Sequence, residues 1–283
     1  MGYLEMLASS AQERQSIVCF GLDPDIVQFP ELPAQGNEEK ITSFFSQIID
    51  ASLAEGKSIS ALKPNYAYFA QYGFDGLRAL KSLIERYSGK LPIILDAKRG
   101  DIGKSSAAYA VEAFDFWGAD ALTVSPYMGY DSLSPFFERC KKGKGVYVLC
   151  RTSNAGSADF QSLNMESGKP LFFEVARKLE KWHVNGLGMV MGATALDELE
   201  STMWSFYDAK KQLPLLVPGV GAQGASAAET AKVLRMVWPD AFSIHRINSS
   251  SAIAYAHKKK ETDDFVGASL SEIKRMNAEI GKV

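Results

Sequence analysis

Groups that hold metals or form disulfides are scarce in this chain. Its 283 residues include only three cysteines and three histidines. Cys19, Cys140 and Cys150 make no Cys-x-x-Cys, and His183, His245 and His257 fall at no metal-ligand spacing. Neither a zinc site nor a disulfide framework is expected, and no cofactor is implied by these residues. Cys19 and Cys150 sit in apolar, strand-like runs that suit a buried free thiol, which fits a reducing compartment. No apolar run approaches membrane-spanning length, and the first residues lack the basic-then-apolar order of a leader. A cytoplasmic protein with no membrane partner is therefore expected. Charge of one sign is also missing: the formal net charge is −2, with no basic stripe and no interleaved aromatics. That excludes nucleic acid as an expected partner and leaves any anionic ligand to be held by local groups.

What is present is a repeated rhythm. The apolar fraction of 46% and charged fraction of 23% are those of a soluble globular protein. Short apolar runs over 16–22, 58–62, 91–95, 119–124, 145–150, 186–191, 213–217 and 241–247 read as strands. Between them lie helical stripes, such as Ile41, Phe44, Phe45, Ile48 and Ile49 behind the start at Asn37-Glu38-Glu39. Residues 2–14 predict a short amphipathic helix over a barrel floor, and 265–280 a closing helix. A long polar loop reaches from Arg151 to Lys169, and loops of that length inside a domain commonly bind or cover a ligand. Lys258-Lys259-Lys260 reads as exposed helix-end charge. Eight strand-then-helix units without a linker predict an α/β fold, a single-domain (β/α)₈ TIM barrel over 1–283, rather than an open doubly wound sheet.

The residues able to do chemistry gather where such a barrel keeps its active site, at the carboxyl ends of the strands. Leu91–Leu95 runs straight into Asp96, Lys98 and Asp101, and alternation puts Asp96 and Lys98 on one face. By itself that pattern also fits a structural salt bridge at a strand end. Asp23 follows the first strand, Lys63 and Asn65 the second, and Thr152-Ser153-Asn154 the fifth. Two lysines and two carboxylates in one mouth would keep one another ionised. An ammonium held there can stabilise a developing carbanion and then protonate it. A carboxylate beside it would repel an anionic group whose departure relieves the repulsion. Gly219-Val220-Gly221-Ala222-Gln223-Gly224 follows the seventh strand, where barrels often bind phosphate on backbone N–H groups, and the helix opened by Asn248–Ser251 adds its positive end.

Five strings then carry a resemblance: Gly21-Leu22-Asp23-Pro24-Asp25, Lys63-Pro64-Asn65, Asp96-Ala97-Lys98-Arg99-Gly100-Asp101-Ile102-Gly103, Arg151-Thr152-Ser153-Asn154 and Pro218–Gly224. Together, in order and across nearly the whole chain, they resemble the orotidine 5′-phosphate decarboxylase family, in its long-chain bacterial-type branch. The resemblance implies a cofactor-free, metal-free decarboxylation of orotidine monophosphate to UMP. Lys98 would stabilise and protonate C6 of the pyrimidine, Asp96 would press on the substrate carboxylate, and Lys63 would hold Asp96 and a ribose hydroxyl. Asp101 would reach across a homodimer interface into the partner's site, where Ser105 would touch the ribose. Asp23 and Asn65 match positions near the ribose and reacting region, Ser153 the hydroxyl that reads the base, and Gln223, between Gly221 and Gly224, the glutamine bridging base loop and phosphate.

One position departs from the pattern. The family usually shows Asn-x-Ser-Arg-x-Ile after the last strand, its arginine gripping the phosphate, whereas this chain reads Asn248-Ser249-Ser250-Ser251-Ala252-Ile253. With Ser251 in that place, weaker phosphate binding is expected unless Arg246 or a loop residue supplies the charge. Two other readings compete. One is a magnesium-dependent phosphosugar barrel sharing Asp-x-Lys-x-x-Asp, which would need an acidic ligand where Lys63 stands. The other is a non-catalytic nucleotide-binding relative.

Overall fold

Alternation along the strands sorts the core into two bodies. Val18, Phe20 and Leu22 face outward against helices, while Cys19 faces the barrel interior, and the same division recurs at Leu62 against Ala61 and Leu122 against Ala121. The computed structural model describes residues 1–221 and 224–281. In chain order it runs α1 (Tyr3–Arg14), β1 (Val18–Leu22), α2 (Gly36–Leu53) and β2 (Ala61–Pro64). Next come α3 (Tyr66–Ala70), α4 (Gly73–Tyr87), β3 (Ile94–Arg99), α5 (Gly103–Val111) and β4 (Ala121–Val124). Then follow α6 (Tyr130–Cys140), β5 (Gly145–Arg151), α7 (Leu171–Lys181), β6 (Leu187–Met191), α8 (Leu196–Asp208) and β7 (Leu215–Val217). The chain finishes with α9 (Ala227–Val237), β8 (Arg246–Ser249), α10 (Ser251–Ala254), α11 (Ala256–Lys260) and α12 (Phe265–Gly281).

The eight strands pair in parallel in the order β2-β1-β8-β7-β6-β5-β4-β3. Isolated parallel bridges, Leu62 with Ile93 and Asn65 with Asp96, join the two outer strands and bring the sheet round into a (β/α)₈ barrel. That seam has little backbone pairing, and it is where the charged strand ends meet.

The barrel floor is apolar and covered from below. Tyr3 and Leu7 of α1 pack on Cys19, Ala61, Ile94, Ala121 and Tyr147, as expected of a floor helix. Cys19, Cys140 and Cys150 are free and buried. The last strand is shorter and later than the sequence pattern predicts: residues 239–244 form a 3₁₀ turn opened by Pro239, and pairing begins only at Arg246. A short apolar run satisfies either conformation, and Ala241 and Ile244 are buried here from a turn rather than a strand.

His245, next to that turn, is buried and uses Nδ1 to accept a hydrogen bond from the Leu215 N–H at 3.1 Å. Burial, and then the neighbouring Arg246 charge, push its pKa down to about 3. A folded-state value below the unfolded one of about 6.5 makes the native state fully stable above that pH and progressively weaker as pH falls towards 3. We expect wild type to lose roughly 2 kcal/mol more than His245→Asn between pH 7 and 5. Urea titrations at the two pH values check this; equal losses would show that His245 is not the group responsible.

Candidate active site

The carboxylate of Asp96 is the hub of the barrel mouth. It projects inward from β3 and is buried, an arrangement too costly for a lone charge. Three groups satisfy it. Lys63 Nζ, from β2, donates to Oδ2 at 2.8 Å, while Lys98 Nζ donates to Oδ1 at 2.7 Å. Thr123 Oγ1, from β4, donates to the same Oδ1 at 2.8 Å and accepts the Lys98 backbone N–H at 2.9 Å. Burial works to raise the Asp96 pKa, but the two ammonium groups override it and hold the carboxyl below its ordinary range. Burial likewise works against the charge on Lys63, and Asp96 and Asp23 more than offset it, raising that ammonium above its ordinary value.

Around this hub lies a cavity of about 360 Å³, lined by Asp23, Lys63, Asn65, Asp96, Lys98 and Thr123 on one side. Thr152, Ser153 and Asn154 form another wall, and Asn248, Ser249, Ser250 and Ser251 a third, over an apolar base of Leu149, Val190 and Leu216. The volume is that of a small-molecule site. Two glycines let the walls close in. A Cβ on Gly21 would collide with the Ser250 side chain, and one on Gly192 would stand 2.9 Å from backbone atoms of Ser153. Among the described residues, Asp23 Oδ1, Asn248 Oδ1 and Ser249 Oγ are buried without a hydrogen-bond partner. Orphaned polar atoms lining a cavity are what a polar ligand would complete. The 151–169 loop is tethered: Arg151 pairs with Glu198 at 2.6 Å, and the Thr152 N–H donates to Gln161 Oε1 at 2.8 Å.

Comparison with known proteins accords with this geometry. The family described as "Orotidine 5'-phosphate decarboxylase / HUMPS family" matches residues 17–262. The orotidine 5′-phosphate decarboxylase of Polaromonas naphthalenivorans is 42% identical over 281 residues, covering 97% of this chain and 94% of that one. The chain belongs to this decarboxylase family. Among solved structures, the OMP decarboxylase of Leishmania donovani superposes with a TM-score of 0.75 at 31% identity, covering 99% of both chains. The UMP synthase of the same organism gives 0.78 at 34% identity; this chain is covered to 99% but spans 57% of that longer protein.

Within the family frame, the expected residues divide. Lys63, Asp96, Lys98, Asp23, Asn65, Ser153 and Ser251 all line the one cavity. Asp101 and Ser105 do not; Asp101 stands on the loop before α5, its Oδ1 accepting the Ile102 N–H. Gly221 and Gly224 line a neighbouring groove that shares Val220 and Ser251 with the cavity. Gln223 lies outside the described residues. Arg246 cannot replace the arginine that Ser251 displaces. It points to the barrel floor, where its guanidinium donates to the carbonyls of Leu7, Ser243 and His245, fully buried. Its place in β8 decides this: Arg246 is inward-facing one step below Asn248, on the floor side. Thr123 is the member the sequence reading missed. The only signal for it was a lone hydroxyl residue in the apolar run Ala121–Val124.

Among the described residues no group of three or more His, Cys, Asp or Glu is placed to hold a metal ion. No helix in the described residues is long and apolar enough to cross a membrane.

Proposed function

We propose that the cavity decarboxylates orotidine 5′-phosphate to UMP, with Lys98 as the proton donor. The observation that carries the reading is the Asp96 carboxylate held between Lys63 and Lys98 on one wall of the cavity. A substrate carboxylate beside Asp96 would meet a second negative charge that its own partners keep ionised. At 4 Å and an effective dielectric of about 20, like charges repel by about 4 kcal/mol. Breaking the C6–carboxylate bond removes that repulsion as neutral CO₂ and leaves the electron pair on C6. The Lys98 ammonium lies next to the developing anion, stabilises it and delivers a proton to C6. The amine left on Lys98 takes its next proton from water.

Asp23 and Asn65 support the ribose side, and Ser153, brought close by Gly192, the base side. The 5′-phosphate lies towards Gly221, Gly224 and Ser251. We further infer a homodimer in which Asp101 and Ser105 complete the partner's site. This is supported by their position outside their own cavity and by the exposed Ile102, Tyr127 and Met128 around the loop, where Gly100 backs onto Ser125 and Met128. Three free cysteines are in keeping with a cytoplasmic enzyme. The magnesium-dependent phosphosugar reading is disfavoured by Lys63, whose ammonium stands where that chemistry would need an acidic ligand.

A turnover assay following loss of orotidine monophosphate absorbance, with and without chelator, tests the reading. Chelator-insensitive turnover is expected; chelator-sensitive turnover of a phosphosugar, or binding without turnover, would overturn it. Ser251 gives a sharper prediction. Ser251→Arg adds a charged contact worth about 1.5–3 kcal/mol, so KM should fall by about ten- to hundredfold with kcat little changed. An unchanged KM would mean that another cation already serves the phosphate.

A further inference from the structure

Lys98 has a backbone that lysine rarely adopts. Its φ is +48°, in the left-handed region, and the β3–β4 register slips between Leu95 and Arg99. For a residue with a Cβ that conformation costs about 1–2 kcal/mol and persists only where its surroundings enforce it. The side chain still reaches Asp96, so the bulge is what turns the ammonium back towards the carboxylate.

The Thr123 hydroxyl holds the Lys98 N–H itself, and a second set of contacts belongs to the next residue. Arg99 returns to the β4 ladder, its carbonyl accepting the Ser125 N–H at 2.8 Å. Its guanidinium is held between two aromatic faces, 4.5 Å from the Tyr66 ring centre and 4.6 Å from that of Tyr109. It also forks onto Glu112, with Nε to Oε2 at 3.0 Å and Nη2 to Oε1 at 2.6 Å. Glu112 is fixed in turn by the Trp117 indole N–H at 3.1 Å. Glu112 opens a π-helical turn over residues 112–116 that continues α5, a widening commonly found where a helix is adapted to a site. Tyr66 begins α3, one residue beyond Asn65. The cluster therefore ties together the ends of β2 and β3, which carry Lys63, Asp96 and Lys98, across a seam joined by isolated bridges. None of Arg99, Tyr66, Tyr109 and Glu112 lines the cavity.

We propose that Arg99, clamped by Glu112 and the two tyrosines, is a positioning residue that holds the left-handed turn at Lys98 and so aims its ammonium. This rests on Lys98 being the proton donor. A planar, forked, doubly stacked guanidinium can fix a backbone turn in a way that a point charge on a flexible stem cannot. An ordinary salt bridge in the same place would affect stability alone.

The test uses Glu112→Gln, which keeps the shape and removes the charge, and Arg99→Lys, which keeps the charge and removes the fork. Each full-length variant is assayed for kcat, KM and UMP affinity, with thermal unfolding as the measure of folding, and Lys98→Ala is run alongside. A misaimed donor should lower kcat by about ten- to hundredfold in both variants while KM and UMP affinity stay within about twofold. Unchanged kcat in a folded Glu112→Gln or Arg99→Lys would overturn the proposal. So would parallel loss of kcat and UMP affinity, which would mark a merely structural role. If Arg99→Lys fails to fold, the isosteric Glu112→Gln decides. Substantial turnover in Lys98→Ala would instead refute the donor assignment, separating that failure from this one.

Discussion

Lys98→Ala should lower turnover by about four orders of magnitude or more while leaving UMP affinity within a few-fold of wild type. A positioned general acid contributes about 10²–10⁴ in rate, and electrostatic stabilisation of the same developing charge adds to it. Both are lost together because one ammonium supplies them. Product binding is spared because UMP carries no charge at C6 for Lys98 to meet, so the interaction belongs to the transition state. The rest of the hub should survive, since Asp96 keeps Lys63 on Oδ2 and Thr123 on Oδ1. Steady-state kinetics and UMP titration of the purified variant check the expectation. A variant turning over within tenfold of wild type would remove Lys98 from the chemistry, and one that no longer bound UMP would make it a ground-state binding residue.

On the proposed shared-site homodimer, mixing two inactive variants, Lys98→Ala and Asp101→Ala, should restore activity. In a mixed dimer, the barrel that keeps Lys98 receives Asp101 from the subunit that lost its lysine. One of its two sites is then intact and the other lacks both groups. Complete exchange of equal amounts gives half mixed dimers, so recovery approaches about a quarter of the wild-type sites. Each homodimer alone stays at its own low background. If native mass spectrometry shows exchanged dimers and no activity returns, Asp101 does not serve the neighbouring site. The position of Asp101 motivates the experiment: it is one loop beyond Lys98 yet outside the cavity that Lys98 lines.

The two predictions differ in how far the sequence alone could reach. Lys63, Asp96 and Lys98 were legible as a group because strand periodicity is local and places all three at the carboxyl ends of apolar strands, although the Asp96–Lys98 pattern alone also fitted a structural salt bridge. Ser251 was legible as a departure from the family pattern. Other features depended on contacts between distant segments. The left-handed turn at Lys98 replaces the simple same-face alternation expected from Asp96 and Lys98, and it is visible only once β3 pairs with β4. Thr123 becomes part of the hub through a strand more than twenty residues away in the chain. Arg246 was a candidate for the phosphate, but β8 begins later than its apolar run suggests and the residue enters the barrel at floor level.

By its own pattern the sequence determined the succession of strands and helices, the barrel class and the residue types gathered at its mouth. These follow from periodicity and turn chemistry acting over a few residues. Only the tertiary structure decided which groups meet: Lys63 on Asp96 across a seam with sparse backbone pairing, Thr123 beneath Lys98, Arg99 between two rings, and Arg246 facing away from the cavity. Ring closure sets those distances, and closure is a property of all eight strands at once.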